Sequence, residues 1–155
     1  MKDPRTTREG FDKRWYSHKF NGPAVKYELA VAIHTGDIVA FCGPFMGAEP
    51  DQKIFRYRLK DLLLPSEKVI GDKGYRGDSS AVTPFDAKNA QHEESMAVLR
   101  ARHASINRRL KHWGALEQKW RDSVNKHVWA FKFAIVMSQI LHENGRSAFQ
   151  VSGYR

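Results

Sequence analysis

The sequence predicts an α/β domain, a mixed sheet flanked by helices, on three observations. Val25 to His34 alternates and then becomes uniformly apolar; Thr35-Gly36-Asp37 and a second apolar run, Ile38 to Cys42, follow it, which is the pattern of an antiparallel hairpin. Val69 and Ile70 form a short apolar run, a buried strand over Lys68 to Gly71, that presents Asp72 at its carboxyl end ahead of a turn with Gly74 and Gly77. Two long stretches then read as helices: one from about Glu93, with Leu99, Ile106, Leu110 and Trp113 on a single face, and one over Val128 to Leu141 that is apolar almost all round. The 155 residues fit one domain, and a content of 41% hydrophobic and 12% aromatic residues is that of a globular chain.

In chain order, residues 1–14 show neither period and contain Pro4 and Gly10, so a mobile arm is expected there, followed by a domain over 15–145 and a tail over 146–155. Trp15, Tyr16 and Phe20 interleave with Arg14, His18 and Lys19, either as a stacking surface for nucleic acid or as the edge of the core. In the hairpin, Val25, Tyr27, Leu29, Val31 and Ile33 share one face and the small Ala30 and Ala32 the other. Asp51 opens a helix with Ile54, Phe55, Leu59, Leu62 and Leu63 as its apolar stripe, ended by Pro65. The strand at Val69 returns from that helix, which predicts a parallel crossover packed on the hairpin. Ser79 to Asn89 reads as a loop close enough in sequence to Asp72 to cover it. Gly114 interrupts the helix from Glu93, Trp120 to Ser123 begins another, and the apolar Val128–Leu141 helix needs a sheet or partner to bury it. Asn144-Gly145 stops it, and Phe149 and Val151 leave the tail able to add an edge strand or fray.

The net charge of +9 favours an acidic partner, and nucleic acid is the commonest for a basic chain. The charge is concentrated: Arg100, Arg102, Arg108, Arg109 and Lys111 lie on one helical stretch without an intervening acid. Such a cationic element suits DNA phosphates and a binding that weakens with salt. Lys73 and Arg76 flank Asp72 in the same sense. A hard carboxylate there suits a magnesium ion bridging to phosphate, while an Asp after a strand also caps the following turn through backbone amides. Asp51 has the same two readings, a helix cap or a ligand. Cys42 is the sole cysteine and reads as a small core residue, and the seven histidines show no tight metal spacing. Arg76-Gly77-Asp78 spells a receptor-binding tripeptide, here a coincidence. No run of about eighteen apolar residues and no signal-type core is seen, so an intracellular chain is expected, nuclear if eukaryotic, and no membrane partner.

Four blocks in order, WYSHKFNGPAVKYELAVAIHTGDIVAFCGPF (15–45), EPDQKIF (49–55), LLLPSEKVIGDKGYRGD (62–78) and RARHASINRRLKHWGAL (100–116), resemble the Harbinger-type DDE endonuclease domain of transposases and their domesticated relatives. The resemblance implies a ribonuclease-H-like fold that cuts or joins DNA with Mg2+ or Mn2+ held by acids. Asp72 matches the acid before the Gly-Tyr pair, and Asp51 an additional acid, so both are implied as metal ligands and catalytic residues. The late Glu of the family falls six residues ahead of Leu110, where this chain has Ala104. The acid of the family's first strand has Asp3 as its one candidate, beside Pro4, so the resemblance implies an N-terminally shortened, catalytically impaired copy with its first strand missing. Unpaired strand edges then predict marginal stability, rearranged pairing or a homodimer that fills the gap. The alternative to an endonuclease is a noncatalytic DNA-binding or protein-interaction module, or a transposon relic; an accessory DNA-binding protein would supply target choice.

Overall fold

The computed structural model describes residues 12–149, and the hairpin is its spine. Two short antiparallel strands, β1 (Tyr16–Ser17) and β2 (Gly22–Pro23), lead into β3 (Val25–Val31) and β4 (Ile38–Met46). The β3–β4 register pairs Glu28 with Cys42, Leu29 with Phe41 and Ala30 with Ala40. Strand alternation sends Lys26, Glu28 and Ala30 to one face and Tyr27, Leu29 and Val31 to the other.

Each face is covered by helix. On the first, α1 (Asp51–Tyr57) and the 3-10 turn Leu59–Leu62 bury Phe55 and Leu59 with Ala30, Ala40, Val69 and Tyr75, and the two small alanines let Phe55 reach 0% exposure. The single helix expected from Asp51 to Leu63 is broken at Arg58, whose backbone leaves the helical region (φ −150°), and this turns Leu59 back into that cluster. On the second face, α2 (Ala90–His112), the short α3 (Gly114–Glu117) and α4 (Val124–Glu143) follow in order. Ile106 and Leu110 of α2 and Phe131, Ala134 and Ile135 of α4 close over Tyr27, Leu29, Val31 and Ile38. Ser123 caps α4, so the chain from Trp120 to Asp122 that was expected to be helical leads in without being helix. Burial of α4 is one-sided: Trp129, Phe133, Val136 and Ile140 remain exposed. Gly145, at φ +77°, ends it in the left-handed conformation that glycine supplies. Trp15 is core, 2% exposed, whereas Phe20 is 60% exposed between the ammonium groups of Lys19 and Lys111. No described helix is long and apolar enough to cross a membrane.

The expected mixed sheet is divided among the described residues into three two-stranded pieces. β5 (Val69–Ile70) pairs in parallel with β6 (Ala81–Val82), not with the hairpin. The crossover therefore closes on a strand in the stretch read as loop, where two apolar residues are too few to show a period. The mobile arm falls mainly on residues outside those described, as does Val151.

Along the edge of β3 turned from β4, no described strand is paired, and side chains of α2 meet one carbonyl of β3 and one just beyond its end. His103 Nε2 lies 3.1 Å from the Leu29 carbonyl, and Arg102 Nη1 donates to that of Ile33 at 3.3 Å. Asn107 Nδ2 donates to His103 Nδ1 (3.3 Å), which assigns the ring proton to Nε2 and makes it the donor to Leu29.

The tripeptide acid Asp78 is 6% exposed and joins the first helical stretch to the β5–β6 connection. It accepts from Arg56 Nε (2.7 Å), Lys60 Nζ (2.9 Å) and the Ser80 amide (3.1 Å). The Arg56 and Lys60 bonds outweigh burial and hold its carboxyl well below the usual range. Both cations keep part of their surface in water, so losing the acid strands less charge than a fully buried pair would. Asp78→Ala is expected to cost about 2 kcal/mol in urea unfolding near neutral pH. Because the folded carboxyl is depressed, its contribution is present above the unfolded value of about 4 and is lost as pH falls through the folded value. The difference between parent and variant should therefore shrink below about pH 4.

Candidate functional site

The site is built where the N-terminus of α1 meets the turn after β5. Pro50 stands at the cap position of α1 and Asp51 is its first residue, with no side-chain capping bond. The Asp51 carboxylate is 44% exposed, and its Oδ1 accepts from Lys26 Nζ at 3.0 Å. Lys26 also donates to the Glu49 carbonyl (2.7 Å), so the even face of β3 fixes this end of α1. Asp72 does act as a cap, with Oδ1 accepting from the Gly74 amide (2.8 Å) at the start of the 3-10 turn Lys73–Tyr75. That capping uses one of its two oxygens.

Gly74 reports how close the two acids come. A β-carbon there would lie 3.0 Å from Asp72 Oδ1 and 3.3 Å from Asp51 Oδ2, so both carboxylates border one point and any side chain would crowd them. The oxygens are separated by no more than the sum of those distances. Under the turn, Tyr75 packs against Gly71, where a β-carbon would meet the ring at 2.7 Å. Its hydroxyl donates to Glu28 Oε1 (3.0 Å), and its ring meets Phe55 edge-on, 5.5 Å between centroids.

Glu28 was not singled out in the sequence. It is a carboxyl with 6% exposure, bonded by Tyr75 and by the Cys42 thiol (3.5 Å). Burial pushes its carboxyl above the ordinary range, the bonds from Tyr75 and Cys42 pull it partly back, and the charge of Asp51 adds to the rise. Burial also pushes the Cys42 thiol up to about 12, which makes it an inert core group, and raises the Tyr75 hydroxyl. Asp51 and Asp72 both contribute to the Tyr75 shift, a second sign that the acids gather around one turn. The signal available in sequence was the parity of Lys26, Glu28 and Ala30; it becomes a site only when α1 covers that face.

The cations named from the sequence divide into groups. Lys73 and Arg76 lie over the exposed ring of Phe85, at 5.8 and 4.5 Å from its centroid. On α2, Arg100 bonds back to the Met96 carbonyl (3.4 Å) and Arg102 caps Ile33. Arg108 and Lys111 are exposed beside Ala104 and Asn107, while one terminal nitrogen of Arg109 is buried with no partner among the described residues. The structure thus brings Asp51, Asp72, Lys73 and Arg76 to adjoining elements, and uses part of the arginine row for the fold. Among the described residues no group of three His, Cys, Asp or Glu side chains is placed to hold a metal, and Asp3 lies outside them.

A family model described as DDE superfamily endonuclease matches residues 2–139. The match spans most of the chain, and the chain belongs to that family of transposase-type nucleases, whose substrate is DNA and whose members generally use divalent metals. No curated protein and no solved structure matches it.

The buried carboxyl of Glu28 makes stability depend on pH. A raised folded carboxyl means that the native state favours the protonated form, so the parent loses stability as pH rises from the unfolded value of about 4.3 through the folded one. Glu28→Gln keeps an acceptor for Tyr75 without the buried charge. Thermal melts should show the variant gaining on the parent as pH rises through that window, with little difference between them at its acid end. A constant offset at every pH would contradict the assignment.

Proposed function

We propose that this chain is a Harbinger-type DDE domain acting on DNA phosphodiesters through Asp51 and Asp72, with hydrolysis and strand transfer weakened by Ala104. The observation that carries the reading is the meeting of two carboxylates at Gly74 in a chain of this family. Hard oxygen donors suit Mg2+ or Mn2+, and Asp51 Oδ2 and Asp72 Oδ2 are the oxygens not committed to Lys26 or Gly74. Two carboxylates fit one such ion better than a pair. When bound, the ion supplies charge stabilisation at the phosphoryl oxygens and an activated water. The chain's own part is to hold both acids rigidly, by Lys26 on Asp51 and by Glu28, Tyr75 and Gly71 under Asp72. Lys73, Arg76, Arg108 and Lys111 would bear on the DNA backbone.

One observation favours a second reading, a noncatalytic DNA-binding module. Ala104 is exposed on α2 next to exposed cations, where a methyl group neither ligates nor transfers a proton but leaves phosphate access unhindered. A homodimer and a nuclear location belong to the same proposal.

A nicking assay on supercoiled and duplex DNA with Mg2+ or Mn2+ separates the two. On the nuclease reading the parent cleaves slowly, Asp72→Ala lowers the rate at least about tenfold, and Ala104→Glu raises it. Cleavage indifferent to Asp72→Ala would overturn the assignment. Salt-dependent binding with no cleavage by the parent or by Ala104→Glu would establish the module instead.

A further inference from the structure

Outside the carboxylate pair, the molecule has an open cleft of about 620 Å3 between the end of β4, the outer side of α1 and one residue of α4. Its walls carry Phe41, Phe45 and Tyr57, and its cations are Lys53, Arg58 and Lys132. Phe45 and Tyr57 meet edge to face, with centroids 5.8 Å apart and planes at 86°, so Tyr57 is held at an angle while 73% of it stays exposed. Lys53 is ion-paired with Glu49, the one acid in the lining. Arg58 makes no ion pair among the described residues, and Lys132 lies 5.0 Å over the Trp129 ring, so both add uncompensated charge.

Flat aromatic faces beside unneutralised cations match one chemistry, an unstacked base with its phosphates. The paired bases of a duplex offer no free face to Tyr57. An acidic peptide would use the cations and leave the rings without a partner. The cleft lies close to the acids: Glu49 is part of its lining, and the Glu49 carbonyl binds the same Lys26 ammonium that holds Asp51. A strand lying in the cleft would therefore pass residues that share Lys26 with one of the two acids.

We propose that this cleft binds an unpaired stretch of nucleic acid, with a base stacked on Tyr57 and flanking phosphates on Arg58 and Lys132. The proposal deepens the nucleic-acid reading above by naming a single-strand subsite, and it is tested without any nuclease readout. Fluorescence anisotropy of the full chain is measured with a labelled oligothymidylate of about twelve nucleotides, a duplex of equal length and an oligoglutamate. Tyr57→Ala is expected to weaken oligothymidylate binding at least about fivefold while leaving duplex binding unchanged. Tyr57→Phe should keep the parent affinity. Arg58→Ala should flatten the slope of log affinity against log salt by about 0.7. Circular dichroism melts confirm that each variant folds, as the exposure of Tyr57 and Arg58 predicts. Parent-like oligothymidylate binding by Tyr57→Ala, or tighter binding of oligoglutamate than of oligothymidylate, would overturn the proposal. Asp72→Ala separates the two readings. Retained single-strand binding with no metal-dependent cleavage by the parent removes the nuclease reading alone, and Asp72-dependent cleavage with binding indifferent to Tyr57 removes the cleft alone.

Discussion

The bond from Tyr75 to the buried carboxyl of Glu28 is the contact on which the site depends. A carboxyl with almost no access to water is costly unless its lone pairs are satisfied, and here the donors are a phenol and a thiol. The phenol belongs to the turn that carries Asp72, so satisfying Glu28 and positioning Asp72 are one event. Gly71 permits it, because any side chain there would strike the Tyr75 ring. Asp78 does the complementary work on the far side of the turn, tying it to Arg56 and Lys60. The turn is consequently fixed from the hairpin below and from the first helical stretch beside it.

The outer edge of β3 imposes the second constraint. Carbonyls in a covered sheet need donors, and with no described strand at that edge the helix above supplies them through His103 and Arg102. This changes the meaning of the arginine row. Arg102 is partly a structural donor, with Phe149 also beneath its guanidinium at 5.5 Å, while Arg108 and Lys111 stay at the surface. Charge counted along a helix therefore overstates the charge available to a ligand.

Legibility followed the range of the interactions. The hairpin, the helix opening at Asp51 and the helix from residue 90 are written in local periods and turns, and they were readable. The pairing of β5 with β6 was not, because Ala81-Val82 has no period and its place is set by Asp78, whose partners lie in the preceding helical stretch. The two acids could be named, but not their state. Sequence left both as cap or ligand, and the structure divides the alternatives: Asp72 caps with one oxygen and Asp51 does not cap at all. Glu28 was illegible for a related reason. A Glu in an alternating strand looks solvent-facing until a second layer of helix covers it.

Charge balance connects the chemistry open to this site. Asp51 shares one oxygen with Lys26, so a divalent ion there would draw on a field already partly neutralised, and water would have to fill most of its coordination positions. Ala104 is an exposed, uncharged position on α2, beside the exposed cations Arg108 and Lys111. The carboxylates of Asp51 and Asp72 and the exposed cations of α2 are thus carried by different elements, the first pair by α1 and the turn after β5, the second set by the helix over the other face of the hairpin.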